Sequence, residues 1–407
     1  MPLCEVPSLS RRALLSASGA LFASAAIPAF ARAADARDPR LIVMILRGAM
    51  DGLSALAPIG DPAYADLHGE LALRWDGEHA ALRIDPFFGL NPAMPNFARL
   101  YGAKQAIALH ACATNYRERS HFDGQDVLES GMPTPGQVQS GWLNRAIAAL
   151  PGGERIAARG GLAVGTTPPL VMRGGAPVLG WAASNLNAPT DDLATRLLGL
   201  YAHTDPALGA ALRAGLDAEH MASQRGMDGL KPGGDVAEAM RKSAAGAARL
   251  MAADDGPRIA ALAFDGWDTH ANEGGATGRL AQLLGGLDAS FAAFERELGP
   301  RWKDTIIVAV TEFGRTAHIN GTTGTDHGTG TAAFLAGGAL AGGRIIADWP
   351  GLKEADLYEA RDLKPTTDLR AVLKGVLADQ FGLSAGALAT AVFPGTSAVP
   401  PMKGLVA

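Results

Sequence analysis

Short apolar runs rich in Ile, Val and Ala recur along this chain and alternate with longer amphipathic stretches. Such runs are typical of strands buried on both faces of a sheet, whereas the apolar spacing between them is helical. Strands are predicted at residues 41–46, 106–111, 259–264 and 305–310, with weaker candidates at 332–336 and 344–347. Helices are predicted at residues 94–101, 122–130, 142–150, 192–202, 236–251, 278–298 and 367–381. This alternation predicts an α/β fold, a doubly wound and mostly parallel sheet flanked by helices.

The segment between residues 206 and 253 departs from this alternation, because it has few strand-like runs and many Ala, Met and charged residues. We expect it to form a helical excursion over the sheet. Gly- and Pro-rich stretches at residues 133–136, 160–169 and 229–234 predict loops rather than domain linkers. The sequence therefore predicts one α/β domain over residues 34–407, with a helical insertion around 206–253.

The first 33 residues have the pattern of a twin-arginine secretion signal. Arg11 and Arg12 precede an apolar run, residues 13–30, that contains no charged residue and ends in small residues. Cleavage after Ala31 and cleavage after Ala33 both fit the small-x-small rule. We therefore expect a periplasmic or secreted protein, with an N-terminal amphipathic helix as the alternative. The twin-arginine route carries folded proteins, which favours a bound metal or another bound group.

Charge and cysteine content exclude some functions. The net charge of the whole chain is −5, and loss of the three arginines and one glutamate of the signal leaves −7, which argues against nucleic-acid binding. Of the two cysteines, Cys4 lies in the signal, so Cys112 has no disulfide partner and stability must come from an apolar core. After the signal, no apolar run approaches the roughly 20 residues of a membrane span.

Polar residues that follow the predicted strands are the first candidates for a binding site, because ligands of open α/β sheets collect at the carboxyl ends of strands. Asp51 follows the first strand, although the pair Asp51-Gly52 also fits a plain turn. Asp268 and His270 follow the strand at 259–264, where a carboxylate and an imidazole suit one cation. The alternative for the second pair is a hydrogen bond that closes the loop.

Two further stretches place polar side chains near predicted strands. Glu312 and Arg315 follow the strand at 305–310, as parts of a site or as an internal salt bridge. The glycine-rich stretch 324–330 contains Asp326 and His327, and its small residues would let a ligand approach closely. A turn without function is the alternative for this stretch.

Ser120 precedes the helix predicted at 122–130. It fits a helix N-cap, with Asp123 three residues further on. It also fits a hydroxyl beside an anion site, because a helix N-terminus favours negative charge and Arg117 or Arg119 would neutralise a phosphate or sulfate.

Together these residues resemble the exported family named domain of unknown function 1501, which belongs to the alkaline-phosphatase-like superfamily. The resemblance covers nearly all of the chain after the signal, through residues 51–52, 119–122, 141–143, 268–270, 312–315 and 324–328. Enzymes of that superfamily hydrolyse or transfer phosphate and sulfate esters. They use one or two divalent cations and a Ser, Thr or modified Cys nucleophile at a helix N-terminus.

The resemblance implies a role for each candidate residue. It implies Ser120 as nucleophile, with Arg119 and Arg315 assisting, and one or two divalent ions, Zn, Ca, Mg or Mn. The implied metal ligands are Asp51, Asp268, His270, Glu312, Asp326, His327 and His121. Three features of this set depart from the superfamily pattern. Phe313 follows Glu312 where the superfamily has a histidine, and Asp268 and His270 are closer together in the sequence than usual. Ser120 is assigned from its position at the helix start, and the neighbouring His121 is a competing ligand.

The sequence supports three hypotheses about function. The first is a periplasmic metal-dependent hydrolase that acts on a small ester or a glycan-type anionic substrate. The second is a non-catalytic envelope protein that binds a metal or a glycan on the same fold. The third is a structural protein whose polar loops only cap the strands. The hydrolase hypothesis predicts that separate loops bring the candidate residues into one pocket.

Overall fold

A computed structural model describes residues 37–150, 160–183, 190–225, 227 and 233–407. The predicted secretion signal, residues 1–33, lies outside the described residues, as do residues 229–232 of the loop predicted at 229–234. Pro39–Ala407 forms one compact unit. None of the described helices is both long and apolar enough to cross a bilayer.

Strands and helices alternate along the described chain. The strands are β1 (Arg40–Leu46), β2 (Leu56–Ala57), β3 (Leu82–Arg83), β4 (Gly89–Leu90), β5 (Ala106–Ala113), β6 (Gly161–Val164), β7 (Val178–Trp181), β8 (Ile259–Phe264), β9 (Thr305–Val310), β10 (Arg315–Ile319), β11 (Thr325–His327), β12 (Thr331–Ala336), β13 (Arg344–Ile346) and β14 (Thr367–Asp368). The α-helices are α1 (Gly52–Ala55), α2 (Tyr64–His68), α3 (Pro95–Gly102), α4 (His121–Ser130), α5 (Trp142–Ala149), α6 (Asp191–Thr204), α7 (Pro206–Ser223), α8 (Val236–Ala252), α9 (Arg279–Leu298), α10 (Leu369–Phe381) and α11 (Ala385–Ala387).

Nine strands form the central sheet, in the order β13-β5-β12-β9-β1-β8-β6-β7, with β14 also paired to β5. β1 lies at its centre and pairs in parallel with β8 and β9. β12 runs antiparallel to both of its neighbours, β5 and β9, and the other pairs of this sheet are parallel. The predicted mostly parallel sheet is therefore confirmed.

Alternate side chains of β1 enter two different cores, which explains why the run is apolar throughout. Ile42, Met44 and Leu46 pack in the core that contains Phe291 of α9, and all are fully buried. Leu41, Val43 and Ile45 pack in the core that contains Leu373 of α10. Each such buried side chain contributes about 1.5–3 kcal/mol. Helices thus cover both faces of the sheet.

Some predicted boundaries are wrong. Residues 160–169 are not a loop throughout, because β6 lies there and pairs with β7 and β8. β6 begins at Gly161, where a Cβ would lie 2.2 Å from the flexible end of the Met172 side chain, so close packing at this position favours a residue type that otherwise indicates a loop. The last predicted helix begins later than residue 367, because Thr367 and Asp368 pair with β5.

Several loops meet at one edge of the sheet. The carboxyl ends of β1, β5, β8 and β9 lie together there because these strands point in the same direction. β12 runs the other way, so the residues that precede it reach the same edge. The topology therefore brings the loop containing His327 to the loops that follow the parallel strands.

Candidate metal centre

Three histidines from different parts of the chain converge at this edge. His121 begins α4, His270 lies in the loop after β8, and His327 ends β11. The Nε2 atom of His327 lies 2.9 Å from the Nε2 atom of His121 and 2.9 Å from the Nε2 atom of His270. The convergence of these three nitrogens defines the candidate centre.

The other nitrogen of each ring is held by an oxygen acceptor. The Nδ1 pairs are His121 with Glu312 Oε1 at 2.9 Å, His270 with Asp326 Oδ1 at 3.1 Å, and His327 with the carbonyl oxygen of Arg119 at 2.9 Å. An acceptor at Nδ1 places the proton of a neutral imidazole on that nitrogen and leaves a lone pair on Nε2. Three lone pairs that face one another repel unless a cation lies between them. The donor set therefore fits a metal ion.

Asp268 adds a carboxylate to the three nitrogens. Its Oδ1 lies 3.1 Å from His270 Nε2 and 3.5 Å from His327 Nε2, and its Oδ2 lies 3.4 Å from His121 Nε2. One ligand atom from each of His121, Asp268 and His327 can be chosen so that all three lie within 4.8 Å of one another. The side chain of Asp268 is 41% exposed, so the centre opens to solvent. Imidazole nitrogens with one carboxylate form a typical ligand set for Zn²⁺ and related divalent ions.

Charges around the centre shift its titration. The hydrogen bond that His121 donates to Glu312 raises the pKa of His121 above its usual value. Burial and the nearby charge of His121 lower the pKa of His327. Burial opposes ionisation of Asp268, but its bond to Arg315 more than offsets burial and lowers the pKa of that carboxyl. The centre therefore resists the simultaneous protonation of all its ligands.

Arg315, predicted as a catalytic residue, is buried and has no free face toward a substrate. Its guanidinium donates to Asp268 and to the carbonyl oxygens of Gly48, Ala49, Trp267 and Thr325, at 2.8–3.2 Å for the carbonyls. With its donors used in this way, the side chain ties three loops together and orients Asp268. The structure thus gives Arg315 protein partners only, and its catalytic role stays a prediction.

Arg119 is likewise occupied by protein groups. Its backbone has a φ of 60°, an unusual conformation for a residue with a side chain, and its carbonyl oxygen accepts from His327. Its guanidinium donates to Asp362 at 2.9 Å and also to Glu359. Arg117, the other arginine considered for an anion, donates to the carbonyl oxygens of Thr114 and Tyr116. Arg119 thus supports His327, a different role from the predicted catalytic one.

Ser120 is the N-cap residue of α4, but no side-chain hydrogen bond caps this helix. Its backbone N–H donates to Tyr116 Oη at 3.2 Å. Asp123, the predicted capping partner, lies 3.5 Å from the same Tyr116 hydroxyl. Ser120 therefore lies between two residues that contact His327, namely Arg119 and His121, and its hydroxyl has no capping role.

Glu312 and Asp326 are predicted as metal ligands, but each contacts the Nδ1 atom of a histidine instead of facing the centre. Glu312 is buried and, besides His121, accepts from the N–H of Gly48 at 2.8 Å and from Gln125 at 3.0 Å. Asp326 accepts from Asn320 as well as contacting His270 Nδ1. Both carboxylates thus hold imidazole rings in place rather than pointing at the centre themselves. Gln125 carries no sequence signal for its contact with Glu312.

Asp51 belongs to a second buried cluster, apart from the three histidines. It caps α1 through the N–H of Leu53 at 2.9 Å and lies 3.1 Å from His68 Nε2, which also contacts Ser54 at 2.7 Å. Burial opposes its ionisation, but the interactions with His68 lower its pKa to about 2. Asp51 is not among the side chains that converge with His121, Asp268 and His327, and its role as a metal ligand stays a prediction.

Glu273 completes the second cluster and was not predicted. Its Oε2 accepts from the Thr325 hydroxyl at 2.7 Å, and its buried Oε1 has no hydrogen-bond partner among the described residues. Burial and the charge of Asp51 raise the pKa of Glu273 well above its usual value. Its position three residues after His270, before two glycines, is the only trace of this role in the sequence.

The fold and the site define an α/β protein with a candidate centre of three histidines and one aspartate at the carboxyl edge of its sheet. The chain belongs to the family described as Protein of unknown function (DUF1501), whose model matches residues 110–393. The resemblance predicted from the sequence is thereby confirmed. No curated protein matches the chain.

Among solved structures, the chain is similar to Ps i-CgsB, with a TM-score of 0.44 and 11% identity for its complex with k-i-k-neocarrahexaose, over 89% of this chain and 74% of that chain. It is also similar to a phosphonate monoester hydrolase of Agrobacterium radiobacter, with a TM-score of 0.32 and 11% identity, over 85% of this chain and 74% of that one. Both TM-scores lie below 0.5, so these similarities do not define a function.

Proposed function

We propose that this chain is a metal-dependent hydrolase of phosphate or sulfate esters, in which Ser120 is the nucleophile. The observation that carries the proposal is the set of Nδ1 acceptors behind His121, His270 and His327, which turns three Nε2 lone pairs toward one point beside Asp268. Without a cation, repulsion between the lone pairs makes this arrangement unfavourable, and the arrangement is found where imidazoles bind metals.

The residues of the chain divide the work of the proposed reaction. A divalent ion held by the three histidines and Asp268 would polarise the ester and favour the ionised form of a nearby hydroxyl. Ser120 supplies that hydroxyl at the N-terminus of α4, where the free N–H groups of the first turn favour an anionic ester. Asp268 and His270 are nearly half exposed, so a small ester or the end of a glycan can reach the centre from solvent.

The test combines metal analysis with turnover. Purified protein is expected to contain a divalent ion by plasma mass spectrometry and to hydrolyse members of a panel of phosphate and sulfate esters. Ser120→Ala should lose turnover but keep the metal, whereas His327→Ala should lose both. Ser223→Ala, at an exposed position of α7, is the matched control and should change neither. Undiminished turnover in Ser120→Ala would end the proposed role of this hydroxyl.

A non-catalytic binding protein is the second candidate. Three imidazoles and a carboxylate would complete a tetrahedral ligand set, as in metal sites without an open position. This candidate predicts a tightly held ion and retention of an anionic ligand or glycan without turnover of any ester. Ester hydrolysis that disappears in His327→Ala would exclude it.

We also propose that the chain is exported to the periplasm or beyond by the twin-arginine route. The supporting feature is Arg11-Arg12 before an uncharged apolar run. Replacement of both arginines by lysine should leave the full-length precursor in the cytoplasm, as measured by cell fractionation. Unchanged export of that variant would contradict the proposed route.

A further inference from the structure

The proposed hydrolase needs a cationic side chain for the ester oxygens that do not face the metal. Arg315 is buried against carbonyls, and Arg119 uses its Nε and Nη2 on Asp362 and Glu359, which leaves only 19% of its side chain exposed. A third arginine, Arg361, lies beside one of the three histidines. Its Nη2 donates to the carbonyl oxygen of His327.

Arg361 is only partly engaged by the protein. Its side chain is 42% exposed, and its Nε lies 3.3 Å from Oδ1 of Asp362. That oxygen is buried and has no well-formed hydrogen bond among the described residues, so the Arg361–Asp362 contact is loose. Within the same part of the chain, no hydrogen bond uses Nη1 of Arg361. The guanidinium therefore keeps donors for a ligand.

A strained turn holds Arg361 in this place. Glu359 and Ala360 both have positive φ values, 54° and 53°, although neither is glycine. The turn closes through hydrogen bonds between the backbones of Tyr358 and Asp362, at 2.8 and 3.0 Å. Each such residue costs on the order of 1 kcal/mol or more, and strain of this kind collects at functional sites.

The carboxylates near Arg361 already have partners. Asp362 and Glu359 are bound to Arg119, and Asp326 accepts from His270 and Asn320. Arg361 thus adds a positive charge beside acids whose hydrogen bonds go to Arg119, His270 and Asn320. A guanidinium is also suited to phosphate and sulfate, because two of its donors match two oxygens of either anion.

We propose that Arg361 is a substrate-binding residue that holds the oxyanion of the ester beside the centre formed by His121, Asp268 and His327. The proposal rests on the proposed function for the identity of the ligand. It assigns the specificity for a tetrahedral anion to the turn between Tyr358 and Asp362.

Binding of inorganic phosphate and inorganic sulfate to the zinc-loaded full chain tests this role by calorimetry. Arg361→Gln should weaken binding of the anion about 10- to 100-fold, because a hydrogen bond to a charged group is lost, and should keep the metal content unchanged. Arg361→Lys should recover part of the affinity, since lysine keeps the charge without the paired donors. Arg344→Gln is the matched control, because Arg344 is also exposed and also donates to a backbone carbonyl, that of Gly404.

The possible outcomes separate this proposal from the proposed function. Wild-type affinity for both anions in Arg361→Gln, or no anion binding by the wild type, overturns the substrate-binding role. Loss of the metal in Arg361→Gln also overturns it, because Arg361 would then only support His327. Weakened anion binding without turnover of any ester by the wild type supports the role of Arg361 while the hydrolase fails. If Arg361→Gln does not fold, wild-type affinity in Arg361→Lys overturns the need for paired donors.

Discussion

At the scale of single residues, the acceptors behind the histidines set how the centre responds to pH. Glu312 is buried, ionised and bonded to His121 Nδ1, and the hydrogen bond raises the pKa of that imidazole above 6.5. A metal binds the neutral ring only, so a proton competes with the metal at His121 more strongly than at an ordinary histidine. The acceptor that orients the ring therefore also makes metal binding more sensitive to acid.

This competition gives a prediction for Glu312→Gln. The wild type should begin to lose metal affinity as the pH falls from a value above 6.5, and the variant should begin to do so at lower pH, because its His121 lacks the neighbouring charge. At pH 8 the variant should bind zinc about 10- to 100-fold more weakly, as for other outer partners of ligand histidines. Competition titration with a coloured chelator measures both effects. Glu295→Gln, at an exposed ion pair with Arg99, is the control and should match the wild type.

The buried pair of Asp51 and Glu273 makes a second prediction at this scale. Burial and the charge of Asp51 raise the pKa of Glu273, so the folded protein favours the neutral acid more than the unfolded chain does. The contribution of Glu273 to stability is fully present below pH 4.5, the usual pKa of a glutamate. This contribution is lost as the pH rises toward the pKa that Glu273 has in the folded protein. Glutamine imitates the neutral acid. Glu273→Gln should therefore gain stability relative to the wild type between pH 5 and pH 8.

Urea denaturation at these two pH values measures that difference. Glu273→Ala should instead cost about 1–3 kcal/mol at both pH values, because the Thr325 hydroxyl loses its acceptor in the interior. If Glu273→Gln instead became less stable than the wild type as the pH rises, the folded protein would need the ionised carboxylate.

At the scale of elements, close approach between the β10–β11 hairpin and the loop after β8 builds the centre. Asn320 and Thr322 in the turn of the hairpin donate to the carbonyl oxygen of His270, at 2.9 and 2.7 Å. Gly324 lets the two backbones meet, since a Cβ there would lie 2.4 Å from that carbonyl group. Gly321, in the same turn, faces open space.

The two glycines form a matched pair of positions for substitution. Gly324→Ala should push the hairpin from His270 and lower zinc affinity at least about 10-fold, with a stability loss of about 1–3 kcal/mol from overpacking. Gly321→Ala should leave both quantities unchanged. Zinc titration and urea denaturation of both variants provide the measurement. Equal zinc affinity in the two variants would show that the hairpin does not need this contact to place His327.

The strands of the sheet and the loops at its edge show which parts of the site the sequence can predict. The runs at β1, β5, β8 and β9 are apolar enough to identify strands, and strand ends bring Asp268, His270 and His327 to one edge. Whether a carboxylate faces Nε2 or supports Nδ1 depends on side-chain directions that spacing does not encode, so the supporting positions of Glu312 and Asp326 could not be predicted. Arg361 was missed because it lies in the turn between Tyr358 and Asp362, which does not directly follow a predicted strand.

At the scale of the whole molecule, the centre connects segments that are distant in the sequence. His121, His270 and His327 belong to separate parts of the chain, and the Arg315 guanidinium joins the loops between them. An ion bound to all of these segments binds the folded chain and not the unfolded one, apart from weak contacts. Its binding free energy therefore adds to the free energy of unfolding.

Metal removal should consequently destabilise the entire compact unit and not only the site. At a free zinc concentration about 100 times the dissociation constant, the gain is about 2.7 kcal/mol, which raises the melting temperature by ~3.5 °C for a chain of this size. Differential scanning calorimetry with zinc and with excess chelator measures the shift. His327→Ala should melt at the same temperature under both conditions, because one of the convergent nitrogens is missing. A shift of equal size in that variant would mean that zinc stabilises the fold from another site, and the three histidines would then not be its ligands.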